Sequence, residues 1–152
     1  MPLKKRTKKY IPFELVELEP NSYHILVNAS INSSIVKLIV DTGASRSVID
    51  KAFDSGIRVD GIEETSAIGF MSDRINVALS LIPELLIENL QFDEFPVAIA
   101  DLSSLREVYL NITDLNIGGL LGSDFLVRNV SSINFSTKKI FIKNLRKYKT
   151  EH

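Results

Sequence analysis

The fold class predicted by this sequence is a mainly β single domain, a barrel or sandwich of short strands with one or two short helices. Three observations carry the prediction. Short apolar runs rich in Val, Ile and Leu recur along the chain, separated by Asn, Ser, Gly and Pro. Few stretches have the spacing of a helix. A chain of 152 residues with 45% apolar and 24% charged residues suffices for one buried core.

Taken in order, residues 1–10 are basic and read as a flexible tail. Ile11 to Glu19 alternates in part and predicts an edge strand before Pro20-Asn21. Tyr23 to Ile31 alternates cleanly and predicts a strand, turned by Asn32-Ser33-Ser34 into a hairpin with Ile35–Val40. His24 falls on the polar side of that alternation and reads as a surface residue. Ser47 to Phe53 suits a short helix ending near Gly56. Thr65 to Val77 reads as strand, polar tip, strand, with Gly69 and Ser72-Asp73 at the tip, and Val77–Ile82 continues extended. Leu85–Ile87 and Gln91-Phe92 flank a turn at Glu88-Asn89. Phe95–Ala100 is an apolar strand whose Pro96 implies an edge position. Ser103–Leu110 suits one or two helical turns followed by a loop. Ile117 to Leu121 runs into Gly122, and a helix is expected from Ser123 or Asp124 through Asn129, with Asp124 in the first turn where an acid complements the helix dipole. Val130–Phe135 and Lys139–Ile142 close the chain as a hairpin around Ser136-Thr137-Lys138. The expected domain therefore spans residues 11–145, with a C-terminal tail at 146–152.

Charge is divided unevenly. Lys4, Lys5, Arg6, Lys8 and Lys9 crowd one end, and Lys138, Lys139, Lys143, Arg146, Lys147 and Lys149 the other, while residues 11–137 hold 18 acids against seven bases. Basic ends can meet nucleic acid or a membrane surface, but without interleaved aromatic residues or a nucleic-acid module the expectation is solvated tails, with neither nucleic acid nor membrane as a partner. No apolar run is long enough to span a bilayer. No signal-peptide core follows the basic start, so the expected compartment is cytoplasmic. There is no cysteine, which excludes thiol chemistry, and with only His24 and His152 a histidine metal site is not expected; no metal and no cofactor is called for.

The chemistry concentrates in Ile35–Ser45. A β-branched run delivers a carboxylate, Asp41, to the edge of the core, where a charge is costly unless it is hydrogen-bonded, paired or neutralised. Gly43 permits a tight turn that brings its own N–H toward the carboxylate, and Thr42 offers a hydroxyl. The plain alternative is a polar strand-to-loop turn in which Asp and Thr bond their own backbone.

Two segments together, Ile39-Val40-Asp41-Thr42-Gly43-Ala44-Ser45 and Gly119-Leu120-Leu121-Gly122-Ser123-Asp124-Phe125-Leu126, resemble the retropepsin-like aspartic proteases, and most of all the single-domain gag-type aspartyl proteases of bacteria. The resemblance runs from about Tyr23 to Ile142. It implies an acid-protease barrel and an aspartic endopeptidase that hydrolyses peptide bonds with an activated water. Such chemistry needs two carboxylates sharing a proton, since like charges so close resist joint ionisation. This chain carries one Asp-Thr-Gly, so the resemblance implies a homodimer with Asp41 contributed by each subunit. It further implies that Thr42 holds the two loops together across the axis, that Gly43 orients the carboxylate, and that Ala44 and Ser45 support the loop and line the cleft. Ile68, Gly69, Phe70, Met71, Ser72 and Asp73 would form a flap over bound peptide. Leu121, Gly122 and Asp124 would pack behind the active loop in a structural role. Ser123 stands where viral relatives carry arginine, so that ion-pair network is expected to be lost or carried by Arg46. Ile68, Phe70, Ile99, Leu120 and Leu121 fit apolar subsites and fit core equally well.

Two other readings remain. One is a non-catalytic peptide-binding or dimerisation module with the same fold, favoured by the unusual segment 101–116 and the missing arginine. The other makes Asp41 a phosphoryl acceptor or metal ligand, but the partner acids or phosphate-binding glycine loop it needs are not found.

Overall fold

The computed structural model describes residues 9–59, 64–66, 75–92 and 95–143. Thirteen strands and two α-helices are formed among them: β1 (Tyr10–Pro12), β2 (Glu14–Glu19), β3 (Ser22–Ile31), β4 (Ser34–Val40), β5 (Val48–Asp50), β6 (Glu64–Ser66), β7 (Ile75–Ile82), β8 (Leu85–Ile87), β9 (Leu90–Phe92), β10 (Phe95–Ala100), α1 (Ser103–Thr113), β11 (Ile117–Leu121), α2 (Ser123–Asn129), β12 (Val130–Asn134) and β13 (Lys139–Ile142). One large sheet runs β6-β7-β10-β5-β11-β4-β3-β8-β9, with β2 also paired to β3, and a small sheet runs β1-β13-β12.

The sequence pattern accounts for the centre of this arrangement. In β4 the side chains of Val36, Leu38 and Val40 face the main core and those of Lys37 and Ile39 the opposite face, as a period of two requires. The main core gathers Val27, Leu38, Val40, Ile82, Ile87, Val97 and Leu121 from the sheet. Phe125 of α2 closes it, edge-on to Phe92 at 5.0 Å and to Phe95 at 5.6 Å between ring centroids. On the other face a smaller cluster of Leu26, Ile39, Ile117 and Tyr109 lies under α1.

Three expectations are corrected. Ser47 to Phe53 is not a helix: Val48 and Ile49 are buried in β5 between β10 and β11, and only Lys51–Phe53 turns, as a single 3-10 turn. Their β-branched side chains suit a strand buried on both faces. Asp50 starts the turn by accepting the N–H of Ala52 at 3.0 Å.

Phe95–Ala100 is not an edge strand, for β10 pairs with β7 on one side and β5 on the other. Pro96 is tolerated because Ala98 N, and by alternation the nitrogen of residue 96, points toward the β5 side, where pairing begins only at Ala98–Val48. Finally, α1 continues past Leu110 to Thr113 and stops at Asp114 in a left-handed conformation, φ 61°.

Candidate active site

β11 threads between β4, to which it is parallel, and β5, to which it is antiparallel. The chain leaving β4 therefore passes over the end of β11 before returning as β5, and residues 41–47 form that crossing loop. Gly119 makes the threading possible: a Cβ there would lie 2.2 Å from the backbone oxygen of Val48. Gly122 does the same at the end of β11, where a Cβ would stand 2.7 Å from the Ala44 oxygen.

The loop is tied to β11 and α2 by its backbone. Asp41 N donates to the Leu121 oxygen at 2.9 Å and Ser123 N to the Ala44 oxygen at 2.7 Å. Within the loop, Gly43 N donates to Asp41 Oδ1 at 2.9 Å and Ala44 N to the Asp41 carbonyl at 3.2 Å. Asp41 is half-buried, with one carboxylate oxygen held and its side chain at the mouth of the loop. Thr42 and Ser45 are exposed; Ala44 is fully buried beneath the loop, so of Ala44 and Ser45 only the serine faces outward.

Asp124 sits behind this loop. Its Oδ1 accepts from Ser47 N at 2.9 Å, Ser47 Oγ at 2.8 Å and Phe125 N at 2.8 Å. The Ser47 hydroxyl in turn accepts from Gly122 N at 2.9 Å. Leu121 is buried in the main core, Leu120 packs partly buried under α1, and Ile99 packs partly buried against the main core. The flap expected at Ile68, Gly69, Phe70, Met71, Ser72 and Asp73, with the subsite candidates Ile68 and Phe70, lies outside the described residues; β6 and β7, on either side of it, are paired antiparallel.

Three contributors escape a reading of the sequence alone. Ser47 is fully buried and joins Asp124 to Gly122; its signal is a hydroxyl at the threshold of a β-branched run. Asp50, 2% exposed, holds α1 by accepting from Leu102 N at 2.8 Å and from Arg106 Nη1 at 3.1 Å. The Arg106 guanidinium also lies 5.1 Å from the centre of the Phe53 ring. His24 is not a plain surface residue but half-buried, its Nδ1 hydrogen-bonded to the Tyr109 hydroxyl. Among the described residues no group of three or more His, Cys, Asp or Glu side chains is arranged to hold a metal ion, and no helix is long and apolar enough to cross a membrane.

The family profile described as aspartyl protease matches residues 27–125, from β3 through the start of α2. The chain belongs to the aspartyl protease family. Among solved structures it is similar to a retropepsin-like aspartic protease from Rickettsia conorii, at 18% identity and a TM-score of 0.50, over 92% of this chain and 96% of that one. It is also similar to the retroviral protease-like domain of Ddi1 from Leishmania major, at 13% identity and a TM-score of 0.50, over 80% of this chain and 96% of that one. No curated protein matches the sequence. The fold of this aspartyl protease family member is thus retropepsin-like, and the matched segment contains the crossing loop, the threaded strand and Asp124.

Proposed function

We propose that the chain is an aspartic endopeptidase that works as a homodimer, with Asp41 of each subunit forming a shared carboxylate pair. The observation that carries this reading is the single Asp-Thr-Gly held on a loop that is braced from behind yet keeps its carboxylate half-exposed. One carboxylate alone cannot act as base toward a water while a second acts as acid toward the scissile carbonyl or leaving nitrogen. A second copy related by a two-fold axis supplies the missing half. In this arrangement Thr42, exposed at the loop, meets its counterpart across the axis, and the hairpin carried by β6 and β7 closes over the peptide and excludes water. Ser123 takes the position of the viral arginine, and the apolar-Gly-x-Asp segment acts through the loop rather than on substrate. The expected place of work is the cytoplasm.

Asp41→Asn tests the reading. The variant keeps the hydrogen bond from Gly43 N but cannot supply a carboxylate, so peptide cleavage is expected to fall by at least about a thousandfold with an unchanged melting temperature. Undiminished cleavage by Asp41→Asn rejects the mechanism. Saturable peptide binding without cleavage by the parent chain from acidic to neutral pH favours the non-catalytic binding module instead.

A further inference from the structure

The β3–β4 hairpin is in register from Ile31–Ser34 at its turn to Ile25–Val40 at its open end. The ladder ends there, with His24 preceding Ile25 in β3 and Asp41 following Val40 as the first residue of the loop. Side chains alternate along a strand. His24 therefore shares the face of Leu26, which pairs with Ile39 within the cluster covered by α1, and Ile39 stands two residues before Asp41. From α1 the fully buried Tyr109 reaches the same place, its ring 5.8 Å from that of His24 and inclined by 27°. Its hydroxyl bonds His24 Nδ1. Burial pushes the Tyr109 hydroxyl up to about 12, so it keeps its proton and has it to donate to the ring nitrogen. A ring whose Nδ1 accepts carries its own proton on Nε2. With the hydroxyl donating, the proton of the ring stands on Nε2, a donor held in orientation by Tyr109. Leu120, partly buried against the same cluster and paired with Ile39, supplies an apolar wall beside it.

We propose that His24 is a substrate-binding residue of this site, its Nε2–H donating to a backbone carbonyl of an extended peptide laid across Asp41, and that Tyr109 is its positioning residue. An extended peptide presents carbonyls along its length with no hydrogen-bond partner of its own, which is what a single fixed donor recognises. The segment 101–116 then contributes to peptide binding from behind, by orienting the imidazole. The assignment rests on the proteolytic reading only for the nature of the ligand.

The test is run in the Asp41→Asn chain, so that binding is measured without turnover. The probe is a fluorescent octapeptide selected from a random library on that chain, followed by anisotropy. Adding His24→Ala is expected to weaken binding about tenfold. His24→Gln, which keeps an N–H donor, is expected to recover most of that loss. Tyr109→Phe, which leaves the imidazole untethered, is expected to weaken binding about threefold. Melting temperatures identify any variant that fails to fold; if His24→Ala does, Tyr109→Phe and His24→Gln decide the matter. Unchanged affinity, a loss that His24→Gln does not recover, or no peptide retained from the library each overturns the assignment. Cleavage by the parent chain is scored separately: turnover with no effect at His24 keeps the protease and rejects this role, whereas an effect at His24 without turnover does the reverse.

Discussion

Asp124 is the residue on which the crossing loop leans. Its carboxylate receives both the N–H and the hydroxyl of a fully buried serine, Ser47, and these are charge-assisted bonds. Removing the acceptor leaves two buried donors unsatisfied, so Asp124→Ala is expected to cost about 2–4 kcal/mol. Ser47→Ala leaves the backbone bond to Asp124 in place and orphans only Gly122 N, at about 1–3 kcal/mol. Urea unfolding of both variants checks the order, and a larger loss for Ser47→Ala contradicts it.

A second residue-scale expectation concerns acid. The Arg58 guanidinium, bonded to Asp54 at 2.9 and 2.8 Å, lowers that carboxyl from 3.8 to about 2, helped by Gly56 N and the Ser80 hydroxyl and opposed by burial. Between those two values the unfolded chain binds a proton that the folded chain refuses. Stability from this site is therefore full above 3.8 and is lost as pH falls through about 2. Asp101 titrates in the same direction, held low by the hydroxyl and N–H of Ser103 and by Lys51. Asp54→Asn should flatten the fall in stability between about pH 4 and pH 2 without abolishing it, since the share from Asp101 remains. Melting curves across that range measure it, and an unchanged slope contradicts it.

At the scale of elements, the threaded strand makes its own demand on sequence. Gly119 and Gly118 both lack room for a methyl group, but against different neighbours: a Cβ on Gly119 meets the backbone oxygen of Val48 at 2.2 Å, and one on Gly118 meets the Val36 side chain at 2.7 Å. A side chain can change rotamer, whereas a carbonyl between two paired strands moves only with its strand. Gly119→Ala is therefore expected to cost about 3 kcal/mol or more and Gly118→Ala less, as thermal unfolding will show.

The same contrast explains what could be read from the chain beforehand. The β3–β4 hairpin, the turn at Glu88-Asn89 and α2 were legible because local pattern and turn chemistry agree there. β5 was not: Ser47 to Phe53 has no alternation, and only burial between two neighbours makes it a strand. Pro96 misled for a related reason, since where β5 begins is a tertiary fact. At the site, Asp41, Gly43 and Asp124 stand out as a motif. Ser47 and the His24–Tyr109 contact depend on residues brought together from 77 and 85 positions away and leave no local trace.

For the whole molecule, the decisive quantity is how many chains make one active site. If Asp41 acts alone, active chains are independent, and adding Asp41→Asn protein at constant parent concentration leaves the rate unchanged. If each site draws one carboxylate from each of two subunits, a mixed dimer is dead, because a single carboxylate cannot serve as both base and acid. With free exchange and equal amounts of parent and variant, about one quarter of the dimers carry two Asp41 residues, so each parent chain works at about half its unmixed rate. The effect deepens as variant is added, and slow exchange shows as a lag that shortens when the mixture is diluted and reconcentrated. Gel filtration alone cannot make this distinction, since a dimer formed by a surface remote from Asp41 would elute identically. Titrating Asp41→Asn into the parent therefore tests the shared site itself: a rate strictly proportional to parent chain, at every ratio after full exchange, excludes it.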